Sequence, residues 1–513
     1  MPVDILAIGF ATLFEPTTLL MLMVGVVAGL VIGSIPGLND NIAFAVFIPF
    51  SFSMGAEHAL ALMVGVYCAT AIGGAIPAIM VRVPGTASAM LTGIDGNAMA
   101  RRGEAGTALS LSITSSVVGG IASAVVLVFF APLLAQFALR FGYVENFALG
   151  VLGMASVVGM LSGNVVKGLV SAALGLLVAT IGFSLETGFP RFTFGEANLI
   201  EGVPFVPLLV GLFGMTAVFE LLDEIARERR AGGGTEGLPV IGSLKLPREL
   251  VRRMVPTWAK SAAIGNVIGV IPGAGALMAI YLSYDQAARR YRARYEGRDG
   301  APDWGRGAPE GVAAPEAANN AVVASSMVPL LSLGIPGNSV SALFIAALAI
   351  QGMVPGPLLF IQHKDIAWMI IVGFLIANIV MGPVAYLMVK TLTRLVFSIS
   401  KEAMAGAIAL LCLTGAYADG NSMFNIWVAL VAGTAGYAMH KVNIPLAPAI
   451  LAIILGQRIE DSLINSLTIS NGDWFVFIDP VGHPISLGLL AVAALFMVGP
   501  TLSRLRARRP RTA

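Results

Sequence analysis

The chain has 513 residues, of which 57% are hydrophobic and only 12% charged, with a formal net charge of +2 and a mean hydropathy of +0.85. Soluble domains carry about 25% charged residues, so this composition excludes a soluble globular protein and indicates a polytopic membrane protein. No basic face interleaves with aromatic residues, which excludes nucleic acid as a partner. The two cysteines, Cys68 and Cys412, lie in apolar runs, and the four histidines are scattered. Neither set forms a disulfide framework or a transition-metal site.

In chain order, residues 1–16 lack a basic leader and carry Asp4 and Glu15, so no cleavable signal peptide is expected. A membrane span needs about 20 apolar residues. Residues 17–35 form the first such run, which ends at Pro36-Gly37. Residues 41–53 are too short to cross alone and read as the second leg of a broken helix or re-entrant hairpin. Residues 57–83 can cross and end at a second Pro-Gly, residues 84 and 85. Four ordinary spans follow, near 107–137, 144–162, 165–184 and 203–222. The polar, Arg-rich segment 223–256 reads as a cytoplasmic linker between a first transmembrane repeat, 1–222, and a second, 257–503.

The second half repeats the plan. An apolar run breaks at Pro272-Gly273, a basic loop follows at 286–310, and another run breaks at Pro336-Gly337. Further spans lie near 366–389, 403–420, 424–440, 444–456 and 484–502, leaving 457–483 as an exterior loop. Residues 504–513 form a basic tail. Basic clusters mark the cytoplasmic face, which puts the linker, the 289–306 loop and the tail on one side. Arg252-Arg253 and Arg289-Arg290 then bracket a stretch too short for two full spans. That stretch reads as a re-entrant hairpin with its tip at Pro272-Gly273, the alternative being one broken span.

Both first breaks sit in the pattern GxxxGxIPG, at 29–37 and 265–273. Their prolines are 236 residues apart (272 − 36), and those of the later Pro-Gly pairs 252 apart (336 − 84). Ordered, paired interruptions indicate duplication. The expected fold is all-α, with about 10–12 transmembrane helices in two inverted repeats whose broken helices meet near the midplane, as in secondary carriers.

Several stretches resemble the large membrane subunit of the tripartite tricarboxylate transporters. They are the two GxxxGxIPG copies, Val-Pro-Gly-Thr-Ala-Ser at 83–88, Asp-Gly-Asn-Ala-Met-Ala-Arg-Arg-Gly at 95–103 and Pro-Leu-Leu-Val-Gly-Leu-Phe-Gly at 207–214. Glu-Gly-Val-Ala-Ala-Pro-Glu-Ala-Ala-Asn-Asn-Ala at 310–321, Leu-Gly-Ile-Pro-Gly at 333–337 and Gly-Met-Val-Pro-Gly-Pro at 352–357 complete the set. The resemblance implies import of an organic carboxylate across a bacterial inner membrane. It also implies sodium or proton coupling without a cofactor, a small four-helix membrane subunit and a periplasmic binding protein. The chain departs from the family pattern at Leu38-Asn39-Asp40-Asn41, at Cys68 and at Arg82.

Broken helices offer N–H groups to carboxylates and freed oxygens to cations. Arg82, Thr86, Ser88, Asn338 and Ser339 are the candidate substrate ligands. Pro36, Gly37, Asn39, Asp40, Asn41, Pro272, Gly273, Asn319 and Asn320 are candidates for the hairpin tips or the ion site. Arg82 reads as an intramembrane cation that binds a substrate carboxylate, snorkels to an interface or pairs with Asp40 or Asp95. Pro315 and Glu316 read as the first turn of an interfacial helix, with Asn319 and Asn320 further in, and Asp95 as the cap of an Asp-Gly turn. An uncoupled channel is the rival function. Membrane proteases are excluded, because neither Gly-x-Gly-Asp nor His-Glu-x-x-His occurs.

Overall fold

A computed structural model describes residues 2–35, 38–161, 165–184, 188–231, 240–273, 275–295, 302–396 and 400–507. Pro36 and Gly37 lie outside the described residues, as does the tail from residue 508. The first half holds α1 (Pro2–Leu13), α2 (Pro16–Gly33), α3 (Asp40–Phe47), α4 (Ala56–Gly73), α5 (Ala75–Val81) and α6 (Met90–Met99). It continues through α7 (Ala105–Ala138), α8 (Tyr143–Leu161), α9 (Val165–Ala179), α10 (Phe205–Leu209) and α11 (Thr216–Ala231). The second half holds α12 (Arg248–Val270), α13 (Gly275–Tyr295), α14 (Pro309–Ser325), α15 (Met327–Leu333), α16 (Ser339–Ile350) and α17 (Leu359–Gln362). It ends with α18 (Lys364–Val396), α19 (Lys401–Ala418), α20 (Met423–Lys441), α21 (Leu446–Ile469) and α22 (Pro484–Ala507). Among the described residues the strands are one two-stranded ribbon, Gly182–Phe183 against Pro190–Arg191.

The protein is an all-α polytopic membrane protein. Five helical stretches among the described residues are long and apolar enough to cross a bilayer: Pro16–Gly33, Ala56–Val81, Ala87–Ala138, Phe205–Arg227 and Lys364–Arg394. Phe129, Leu133, Leu177, Leu387 and Leu495 are exposed on the outside of the bundle. That apolar surface suits lipid as the solvent.

Glycine spacing explains the first hairpin. Gly25, Gly29 and Gly33 of α2 lie against Leu62, Val66 and Thr70 of α4 in ascending order, so the two helices run parallel. A Cβ on Gly29 would stand 2.6 Å from the Val66 carbonyl oxygen. Only bare backbones approach this closely, which is the packing use of GxxxG. Two parallel neighbours require the chain between them to turn back. Helix α3 and the 3₁₀ turn Ile48–Ser53 are that return leg.

The second hairpin follows the same rule. Gly265 and Gly269 of α12 lie against Ala318 and Val322 of α14, again parallel. Helices α12 and α13 are its legs, joined where Ser283 Oγ donates to Ser261 Oγ at 2.7 Å. At the open end the Arg253 guanidinium lies 4.1 Å from the centre of the Tyr295 ring. The expected turn at Pro272-Gly273 is present, with Gly273 at φ +74°.

The two halves are inverted relative to each other. Helices α7 and α18 hold equivalent places after the second Pro-Gly of each half. They pack antiparallel: Gly120 meets Asn378, Val117 meets Gly382, and Thr114 Oγ1 lies 2.7 Å from Tyr386 Oη. Helix α7 runs parallel to α14, through Ser116–Glu316 and Gly119–Ala317. Helix α18 runs parallel to α4, through Val64–Gly373 and Cys68–Asn378. Each half thus lends its long helix to the broken helix of the other.

Basic residues collect at one end of the bundle. Arg102 donates to the Arg306 carbonyl at 2.8 Å, Lys401 pairs with Glu224 at 2.6 Å, and Lys441 pairs with Asp223 at 2.5 Å. The strand ribbon lies at the other end, where Arg191 pairs with Glu460 at 2.6 Å.

Four local expectations are corrected. Helix α21 runs to Ile469, so 457–483 is not one loop, and Arg458 and Asp461 are helical. The linker is shorter than 223–256, because α11 extends to Ala231 and α12 begins at Arg248. Helix α14 starts at Pro309, so Pro315 is interior and Glu316 is fully buried rather than interfacial. Asp95 does not cap a turn. It lies within α6 and accepts from the Gly307 and Ala308 N–H groups at 2.9 and 2.8 Å, capping the start of α14 from the other repeat.

Candidate functional site

The site grows from the backbone left free where helices stop. Helix α15 ends at Gly334 in the left-handed conformation, φ +75°. Residues 335–338 are non-helical, with Asn338 extended, and α16 begins at Ser339. Asn338 caps it: its Oδ1 accepts from the Ser341 N–H at 2.8 Å, while its own N–H donates to Ser341 Oγ at 2.9 Å. That reciprocal box leaves the Ser339 and Val340 N–H groups, at the first two helical positions, without an intrahelical acceptor.

This break separates two cavities. One, of about 440 Å³, is lined by Asn39, Asn41, Thr216, Glu220, Ser339 and His440, among others, and lies toward the basic end near Lys441. The other, of about 450 Å³, is lined by Asn146, Gly334, Ile335, Pro355, Arg458 and Asp461, among others, and lies toward the opposite end. Six residues of chain, 334–339, reach from one cavity to the other.

The start of α3, the return leg of the first hairpin, faces the cavity at the basic end. Asn39 caps α3 by accepting from the Ile42 N–H at 3.0 Å. The next two residues keep free acceptors: Asp40 Oδ1 and Asn41 Oδ1 are buried without a hydrogen-bond partner. A buried oxygen with no donor is costly unless something fills the place. Return leg α3 is held by aromatic packing, with the Phe44 ring centre 5.8 Å from that of Phe344 on α16 and 6.4 Å from that of Tyr67 on α4.

The other interruptions brace this arrangement without lining either cavity. The Gly273 N–H donates to the Gly337 carbonyl at 3.0 Å, so the second hairpin tip buttresses the break. In the first half the Gly85 N–H donates to the Gly74 carbonyl at 3.1 Å, and a Cβ on Gly85 would collide with the Gly33 carbonyl. Among the described residues these contacts stay within each half, and of the expected ligands Asn39, Asn41 and Ser339 share a cavity. Asn338 stands behind Ser339 as its cap. Thr86 and Ser88 are buried, with their hydroxyls 2.9 Å apart. Arg82 caps α5 at φ +61° and is exposed, not enclosed around a carboxylate.

Asn319 and Asn320 lie inside the helical core. The Asn320 carbonyl accepts from Ser123 Oγ at 3.2 Å, while Asn319 Nδ2 and Asn320 Oδ1 have no partner. One turn earlier, Glu316 accepts from Thr92 Oγ1 at 2.6 Å and from Ser116 Oγ at 2.8 Å. Sequence reasoning missed Glu220, His440 and Arg458 as cavity residues. They lie on three helices far apart in the chain, and no local pattern marks them.

The chain matches the tripartite tricarboxylate transporter TctA family over residues 19–451. It belongs to that family. It is 34% identical over 505 residues to an uncharacterised 52.8 kDa protein in the TAR-I ttuC′ 3′ region of Agrobacterium vitis, covering 98% of this chain and 97% of the relative. It is 33% identical over 245 residues to an uncharacterised protein in the TAR-II ttuC′ 3′ region of the same organism, covering 48% of this chain and 97% of the relative. No solved structure matches the chain. As a TctA-family protein it is the large subunit of a tripartite tricarboxylate transporter, a multi-pass membrane protein of a transport family rather than an enzyme family.

Proposed function

We propose that this TctA-family subunit imports a di- or tricarboxylate by alternating access across the residue 334–339 break, driven by a sodium or proton gradient. The observation that carries the reading is the pair of cavities separated by those six residues. The cavity at the basic end, which we read as cytoplasmic, is where substrate would leave. Substrate carboxylate would meet the Ser339 and Val340 N–H groups at the positive end of α16, with Asn39 and Asn41 opposite. Asp40 Oδ1 and Asn41 Oδ1 are the acceptors offered to the coupling cation. A periplasmic binding protein delivers substrate on the ribbon side of a bacterial inner membrane. A small four-helix subunit covers part of the lipid-facing surface.

Cysteine accessibility tests the reading. In inside-out vesicles Ser339→Cys should react with an impermeant maleimide, and in right-side-out vesicles Ile335→Cys should do so. Substrate with the ion gradient should shift both rates in opposite directions. Native Cys68 and Cys412 are buried and give a low background. If both positions react from one side only, the break does not separate two compartments. Uptake that persists after the gradient is collapsed would favour an uncoupled facilitator.

A further inference from the structure

The outer cavity is lined by both a cation, Arg458, and a carboxylate, Asp461. Arg458 lies on α21, partly buried, in the wall of the 450 Å³ cavity. Among the described residues its guanidinium has no hydrogen-bond or ion-pair partner. The neighbouring carboxylate, Glu460, is taken by Arg191 through two bonds of 2.6 and 3.2 Å. Asp461 lines the same cavity and has contacts of its own.

A simple structural role would be to cap the end of α15. The guanidinium does stand there, with Nη1 3.4 Å from the point where a Cβ on Gly334 would be. That end is already capped. The Leu330 carbonyl accepts from the Gly334 N–H at 2.8 Å, the Pro329 carbonyl from Ile335 at 3.3 Å, and the Leu331 carbonyl from Gly356 at 3.2 Å. The five donors of the guanidinium therefore remain for a ligand. An unpaired cation in a partly desolvated cavity attracts an anion, and a planar guanidinium fork matches a carboxylate in bidentate fashion. A volume of this size suits a small organic acid.

We propose that Arg458 binds one carboxylate of the incoming substrate, forming an outer waiting site against the exterior face of the 334–339 break. This rests on the carboxylate-import reading and adds a residue and a side to it. The site is loaded from the exterior, before the inner site at Ser339, so its loss affects external and internal substrate differently.

The test uses the full tripartite assembly in proteoliposomes of known orientation, with citrate and succinate as tri- and dicarboxylate probes. Arg458→Gln should raise KM for external substrate about ten- to hundredfold, the range expected for a lost charged hydrogen-bonding partner. KM for substrate on the cytoplasmic side should stay within about twofold of wild type. Arg458→Lys keeps the charge without the fork and should fall between the two. The melting temperature of each variant separates ligand loss from misfolding. Equal effects on both sides, or none, would overturn the outer site while leaving carboxylate import standing. A wild-type assembly that moves neither probe would overturn the import reading and this site together.

Discussion

Tyr67 and Asn338 join the two repeats at the break. Asn338 Nδ2 donates to Tyr67 Oη at 2.7 Å, and that hydroxyl lies 3.1 Å from Ser326 Oγ at the kink between α14 and α15. Tyr67 is buried on α4, in the first half, while Asn338 positions Ser339 in the second. One hydroxyl therefore couples the broken helix of one repeat to the site-forming break of the other.

Tyr67→Phe removes this bridge and leaves the α16 cap intact. A lost buried hydrogen bond costs about 1 kcal/mol net, and more where a donor is left bare. The melting temperature should fall modestly. Maximal uptake rate should change more than KM, because the break is loosened and its ligands stay. An unchanged melt and rate would show that the bridge couples nothing.

Gly29 is the closest test of the hairpin packing. Gly29→Val must push α2 from α4 and should cost about 1–3 kcal/mol, the usual range for overpacking. Gly406, on α19, has open space where a Cβ would go. Gly406→Ala should be neutral or stabilise by up to about 1 kcal/mol through helix propensity. Comparing denaturation of the two variants in detergent separates close packing from glycine content as such.

Asp40 carries the coupling prediction. Asp40→Asn preserves shape and the α3 cap at Asn39 while removing a charge. Carboxylate binding in the absence of a gradient should persist, and the dependence of uptake on the sodium or proton gradient should weaken at least about tenfold, as for loss of a charged ligand. Ion dependence equal to wild type would remove Asp40 from the cation site.

Glu316 separates structure from transport. Its two hydroxyl partners, Thr92 and Ser116, come from the other repeat. Glu316→Gln keeps an acceptor oxygen and should be tolerated better than Glu316→Ala. The alanine variant strands both hydroxyls in the core, at about 1–3 kcal/mol each. Thermal melts and expression in membranes give the order. Equal loss in both variants would mean that the charge, not the hydrogen bonding, holds the repeats together.

The sequence by itself determined the membrane class and the helix breaks at Pro84-Gly85, Pro272-Gly273 and Pro336-Gly337. Those follow from composition, apolar run length and proline–glycine chemistry, all of which act within a few residues. It also located the second hairpin, because basic clusters on both sides of Pro272-Gly273 left too little chain to cross twice. Only the tertiary structure decided which interruptions meet. Asn39, Asn41 and Ser339 share a cavity because α3 folds back onto α16, whereas Thr86, Ser88, Asn319 and Asn320 are buried away from it. Local patterning cannot distinguish an amide facing a cavity from one facing a neighbouring helix. The same limit hid Arg458, which sits where α21, expected as a loop, passes the end of α15. Its meaning depends on Glu460 finding Arg191, a pairing 269 residues away in the chain.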